Sequence, residues 1–282
     1  MSYMSSPITP IAKSAILTPQ KAKYYIKESV IIPDHFRMIA SDAFFHKEKI
    51  QTVTFPPHLE IIYSRAFSQC HSLKEVRLPN SVHTIGRESF SECAHLIKVS
   101  MSDQLTEIPK DAFRENRQLK KIHFSSKSQL TCIRREAFCE CASLQKFQCP
   151  TLLTAIGGSG ILSVQIPLLC SFRRGSHISE AKPFIICGFK KLHLPSTLRV
   201  LGDAAFFKCV HLTHVVIPES VRHIGKWVFH GCSRLEVVEI RHDPDFIGDW
   251  IINRSVRIRC YRGSKVDAYC QQFRFTTEYI DE

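Results

Sequence analysis

Apolar positions recur along this chain in a fixed order at long range. The segment FPPHLEIIYSRAFSQCHSLKEV begins at Phe55 and LPNSVHTIGRESFSECAHLIKV begins at Leu78. Much later, LPSTLRVLGDAAFFKCVHLTHV begins at Leu194 and IPESVRHIGKWVFHGCSRLEVV at Ile217. Their shared pattern is φ-P-x-x-φ-x-x-φ-G-x-x-A-F-x-x-C-x-x-L-x-x-V, with φ apolar, and consecutive copies step by 23 residues. Three registers follow the chain. An aliphatic column runs Ile39, Ile62, Ile85, Ile108, Ile133, Ile156, Ile178, Leu201, Ile224. A Phe column runs Phe44, Phe67, Phe90, Phe113, Phe138, then Ile161, Phe184, Phe206, Phe229. A thiol column holds Cys70, Cys93, Asn116, Cys141, Val164, Cys187, Cys209 and Cys232.

One unit shows which elements this predicts. In LKEVRLP, Val76 and Leu78 alternate inward with period two while Glu75 and Arg77 point out, a short strand that Pro79 closes. Val82 and Ile85 return toward the core, and Gly86 permits a bend where a Cβ would crowd. Phe90, Cys93 and Leu96 are spaced by three, which predicts one or two turns of 3₁₀ or α-helix with one face inward. A period of 23 lies in the leucine-rich-repeat range. The expected fold is an α/β solenoid: a curved, right-handed leucine-rich-repeat stack of about ten units, with short parallel strands and helical or 3₁₀ return segments. Residues 1–30 are read as an N-terminal cap or a partly disordered segment, 31–255 as the solenoid, degenerate over about 158–191, and 256–282 as a C-terminal cap. The cap is expected to have a strand over Val256–Cys260, a turn at Gly263 and a short helix with Val266 and Tyr269 inward.

Stacking turns each column into a ladder. The Phe rings and the thiols are read as structural rungs. Asn116 stands in the thiol column because an amide, like a thiol, hydrogen-bonds a backbone group in a buried bend. Neither the Cys132/Cys139/Cys141/Cys149 cluster nor Cys209 with His211 and His214 has the paired spacing of a structural zinc site, so no metal or cofactor is expected. The GGSG at 157–160 lacks the Lys-Ser/Thr of a phosphate loop. No catalytic set stands out, and an enzyme is not expected; a pocket would have to come from the damaged stretch 158–182.

Composition adds the charge. The 282 residues include 38 Lys plus Arg against 26 Asp plus Glu, a formal net charge of +12. On the outer side of the stacked strands this charge concentrates. The position before the inward Val reads Glu75, Lys98, Lys121, Lys146, Lys191, His214, and the position after it includes Arg77, His123 and His193. These nine residues are the candidate partner-binding face. The expected partner is a protein, acidic if the lysines recognise it, with a glycan or a membrane head group as the other ligands for such a face; a merely solvated basic face is the competing reading. Interleaved aromatics for base stacking are lacking, which disfavours nucleic acid. A monomer is expected.

The N-terminus lacks a basic region followed by an unbroken apolar run, so no secretory signal is read and a cytoplasmic location is expected. Phe147 to Phe172 carries no charge, but Pro150, Gly157, Gly158, Gly160 and Pro167 interrupt it, and no transmembrane segment is expected.

IPESVRHIGKWVFHGCSRLEVV, its 23-residue step and the closing VRIRCYRGSKVDAYCQQF resemble the BspA-like leucine-rich-repeat family, of treponemal type. The resemblance covers roughly residues 32–275. It implies a protein-interaction scaffold binding through its concave strand face, or a surface antigen or adhesin that contacts a host protein or glycan at the cell surface. It implies no catalytic residue.

Overall fold

The computed structural model describes residues 15–157, 187–188, 190 and 192–280. Two parallel ladders run along the stack. The first is built of strands of three or four residues: Ser29–Ile31, Thr52–Thr54, Glu75–Arg77, Lys98–Ser100 and Lys121–His123, then His214–Ile217, Val237–Ile240, Arg257–Cys260 and Thr276–Tyr279. Neighbours pair in parallel, mostly 23 residues apart, as in Glu75 with Lys98 and Lys98 with Lys121. The second ladder holds ten two-residue strands among the described residues, from Ile16–Leu17 through Ile61–Ile62 and Thr84–Ile85 to Phe246–Ile247.

The unit around Val76 shows why the chain coils. Leu73, Val76, Leu78, Val82, Ile85, Phe90, Cys93 and Leu96 are all buried, while Arg77 is exposed and Glu75 half-buried. No single coil can enclose so many apolar side chains, and the next coil covers them. One core cluster therefore runs from Leu17 to Phe275. Gly86 sits where the coils approach most closely, since a Cβ there would lie 2.3 Å from the Ser64 nitrogen.

The return segments differ from expectation. Phe90, Cys93 and Leu96 lie on consecutive turns, not on a helix or a 3₁₀ helix. Ser91 N–H donates to Glu88 O (3.1 Å) and Leu96 N–H to Cys93 O (2.9 Å), which produces the spacing of three. The alternate N–H groups of Glu88, Phe90 and Glu92 instead donate to the next coil, at Lys110, Ala112 and Arg114. A helix would have used these donors internally. Left-handed φ values at Glu88 (57°) and Glu92 (57°), repeated at Arg65, Gln69, Asp111 and Glu115, turn the peptides so that they can bridge coils.

Inside these turns the Phe rings stack on one another. Centroids are 5.0 Å apart for Phe44–Phe67, 5.3 Å for Phe67–Phe90, 5.5 Å for Phe90–Phe113 and for Phe113–Phe138, and 5.5 Å for Phe206–Phe229. All are fully buried, and burying each ring contributes roughly 1.5–3 kcal/mol. The thiols form a second file. Cys70, Cys93, Cys141, Cys187 and Cys232 each donate Sγ–H to the carbonyl of a Phe one coil back, at 3.1–3.2 Å. At Asn116 the amide nitrogen donates to the Phe90 and Phe113 carbonyls (2.9 and 3.0 Å), and the amide oxygen accepts from Cys93 N–H (2.8 Å). Cys209 is buried in the same file.

One register is corrected. The aliphatic column gives Ile178 a coil between Ile156 and Leu201, yet Ile156 pairs directly with Leu201 and Ala155 with Val200. On the other ladder Gln148 bridges to His193. The Cys187 thiol reaches the Phe138 carbonyl, so Cys187 lies one coil on from Phe138. Equal spacing alone places Ile178 in the column, and spacing does not fix which strands pair. Ile161, Val164, Ile178 and Phe184 lie outside the described residues.

At the C-terminus, Arg257–Cys260 is followed by a turn at Gly263 and a helix over Lys265–Phe273 with Val266 and Tyr269 buried. Ser264 Oγ accepts from Asp267 N–H (3.1 Å), and the Asp267 carboxylate accepts from Gly263 N–H (2.8 Å), which closes the helix start reciprocally. A further strand, Thr276–Tyr279, pairs with Arg257–Cys260. Among the described residues no helix is long and apolar enough to cross a membrane.

Candidate functional site

Period-two alternation puts Val76, Val99 and the half-buried Ile122 inward and their neighbours outward, so the candidate residues share the outer side of the longer-strand ladder. Glu75, Lys98 and Lys121 are direct neighbours across three strands, and Ser100 pairs with His123. Glu75 neutralises the start of this row. It accepts from Arg77 Nε at 2.8 Å, and Lys98 Nζ lies 3.2 Å away. The Arg77 hydrogen bond, helped by Lys98, holds the Glu75 carboxyl below its ordinary range.

Beyond Lys98 the compensation stops. Among the described residues no carboxylate lies within ion-pair distance of Lys121 or Lys146. Both line a groove of about 730 Å³ with Lys98, Lys120, His123 and Gln148, and Ile122 in its floor. An adjoining hollow of about 530 Å³ is bordered by Lys146, Phe147, Gln148, His193 and Leu194. His193 and His214 share a third, of about 460 Å³, with the exposed Val216. The structure thus brings Lys98, Lys121, Lys146 and His123 into one groove. Glu75 and Arg77 sit at its N-terminal edge, and His193 and His214 on the far side of Lys146. Lys191 lies outside the described residues.

Sequence reasoning missed a second charged feature on the same ladder. Glu239, nearly buried, meets Arg241 (2.6 Å) and Arg259 (3.2 Å), and Arg259 Nε also reaches Glu278 (3.0 Å). Glu239 directly follows the inward Val238 on its strand, but Arg259 and Glu278 belong to the cap, where the 23-residue step no longer predicts partners. Burial works to raise the Glu239 pKa; hydrogen bonds from Arg241 and Arg259 outweigh it and hold the carboxyl below its ordinary range.

The cysteine clusters do not assemble a centre among the described residues. Cys132 packs with Ala155 and Val200, and Cys141 belongs to the thiol file. Burial pushes Cys70 and Cys139 up to about 12 and raises Cys93, Cys187 and Cys209 as well. These are inert thiols at neutral pH.

A family model described as BspA type leucine rich repeat region matches residues 37–163 and 177–265 in six copies, well over half of the chain. The chain belongs to the BspA-type leucine-rich-repeat family. A search of curated proteins finds no match. Among solved structures, similarity extends to a leucine rich cell surface protein from Faecalibacterium prausnitzii, with 20% identity over 90% of this chain and 79% of that one and a TM-score of 0.45. The pneumococcal vaccine antigen PcpA is 16% identical over 90% of this chain and 67% of its own, with a TM-score of 0.45. A Treponema pallidum leucine-rich-repeat protein is 19% identical over 93% and 89%, with a TM-score of 0.33. In this BspA-type chain, the residues that recur every 23 positions build the Phe and thiol files, and the lysines stand on the outer side of the longer strands.

Proposed function

We propose that this BspA-type repeat protein is a non-enzymatic interaction scaffold whose longer-strand face, between Lys98 and Lys146, receives an acidic segment of a partner protein. The observation that carries the reading is the groove in which Lys121 and Lys146 stand without a carboxylate partner among the described residues, beside Lys98 and His123. Repeat stacks present extended surfaces of this kind to partners. Uncompensated lysines over a partly apolar floor attract an anionic chain and give it apolar contact once docked. A surface antigen or adhesin that contacts a host protein or glycan would use the same face, and surface labelling of intact cells separates the two settings.

The test is capture of partners with the wild-type chain and with a Lys98→Glu, Lys121→Glu, Lys146→Glu variant, each at low and high salt. An acidic partner is expected to be retained by the wild type, released by salt and lost with the variant. Equal recovery by both chains rejects the face.

A further inference from the structure

His46 and Glu48 lie in one return turn and His71 in the next, 25 residues after His46, so the two imidazoles do not share a column of the repeat. The coils nevertheless bring them together. One ligand atom from each of His46, Glu48 and His71 lies within 4.8 Å of the other two. His46 Nε2 is 3.8 Å from the Glu48 carboxylate, and the two rings stand nearly perpendicular with centroids 6.2 Å apart.

The groups around them fix which nitrogens are available. Gln69 Nε2 donates to the Glu92 carboxylate (3.1 Å), which orients the amide so that its oxygen faces His46 Nδ1 at 3.2 Å. An amide oxygen only accepts, so His46 Nδ1 carries the proton. His71 Nδ1 lies 2.9 Å from the main-chain oxygen of Glu92, and the same logic makes it the donor. Each ring is therefore held by its Nδ1–H and keeps an Nε2 lone pair. Metal-binding histidines are held this way, by an oxygen acceptor behind the ligating ring.

We propose that His46, Glu48 and His71 form a binding site for a divalent first-row transition ion, of which zinc is the case to test, with water completing the coordination. Two imidazoles and a carboxylate match the donor preference of zinc, whose bonds to them are about 2.0–2.2 Å. His46 and Glu48 are exposed and His71 is half-buried, so side-chain rotation can close the set around an ion without moving the core. Gln69 acts as a positioning residue through its hydrogen bond to His46. The site lies on the return turns and not on the lysine face, and it stands independently of the proposed partner binding.

The experiment is calorimetric titration of the full reduced chain with zinc chloride, with circular dichroism to confirm that each variant folds. The wild type is expected to bind one equivalent that depends on all three side chains. His46→Ala and His71→Ala each abolish it or weaken it at least about tenfold, and Gln69→Leu, which keeps every ligand, weakens it about 10–100-fold. His83→Ala, an exposed histidine outside the cluster, leaves it unchanged. Absence of wild-type binding up to millimolar zinc overturns the proposal. So does equal binding by a folded His46→Ala, His71→Ala double variant, which would place the ion on thiols elsewhere.

Discussion

Asn116 offers a sharp test of what the thiol file does. Its side chain is fully buried and makes three hydrogen bonds: to the Phe90 and Phe113 carbonyls and from Cys93 N–H. In Asn116→Ala the Phe113 carbonyl keeps the Cys141 thiol as donor (3.2 Å), whereas Cys93 N–H and the Phe90 carbonyl lose Asn116. Two buried groups without partners at about 1–3 kcal/mol each give a loss of about 2–6 kcal/mol. Asn116→Cys restores the consensus rung. A thiol there can donate to the Phe90 carbonyl as Cys93 donates to the Phe67 carbonyl (3.2 Å), so only Cys93 N–H is left without Asn116. The variant's loss should stay within about 1–3 kcal/mol, the cost of one buried group without its partner. Urea unfolding under reducing conditions, read by far-ultraviolet circular dichroism, compares the two midpoints. Equal midpoints for the Ala and Cys variants, or an Ala variant as stable as the wild type, would refute the hydrogen-bonding role and leave the column a matter of volume alone.

Two further outcomes follow from the burial and charge of named groups. The thiols of Cys70, Cys93, Cys141, Cys187 and Cys232 should resist alkylation at pH 8 in the native protein and react fully in denaturant, as mass spectrometry of iodoacetamide-treated protein would show; rapid native labelling of two or more of them would contradict the buried file. The depressed pKa of Glu239 means that its stabilisation is present above the unfolded carboxyl value of about 4.3 and is lost as pH falls through the lower folded value. Urea midpoints measured from pH 7 to pH 3 should therefore fall less steeply for Glu239→Gln than for the wild type, and parallel decline in the two proteins rejects the contribution.

The repeat was legible because its signal is redundant. Ile62, Phe67 and Cys70 announce the same register that Ile85, Phe90 and Cys93 repeat, and burial of all six follows. What failed had a local physical cause. A spacing of three at Phe90, Cys93 and Leu96 fits a helix and a run of turns equally, and only the destination of the backbone N–H groups, in the next coil, separates them. Two-residue strands such as Thr84–Ile85 are too short to show period two. Ile178 enters the aliphatic column on spacing alone, and only the direct pairing of Ile156 with Leu201 shows that their two strands are neighbours. On the lysine row, the columns placed Glu75 beside Lys98, but the extent of neutralisation depended on where Arg77 and Lys98 turn their side chains. The cluster of His46, Glu48 and His71 escaped because its members occupy different columns and meet only across the turn.

The claim on which all of this rests is that like positions of successive 23-residue units touch. Nuclear Overhauser spectroscopy on protein with selectively labelled Phe rings tests it directly. Phe90 should show ring-to-ring contacts with both Phe67 and Phe113, whose centroids lie 5.3 and 5.5 Å away, and none with Phe138, two coils off. A Phe90 ring that lacks either neighbour, or that contacts Phe138 instead, would contradict the stack.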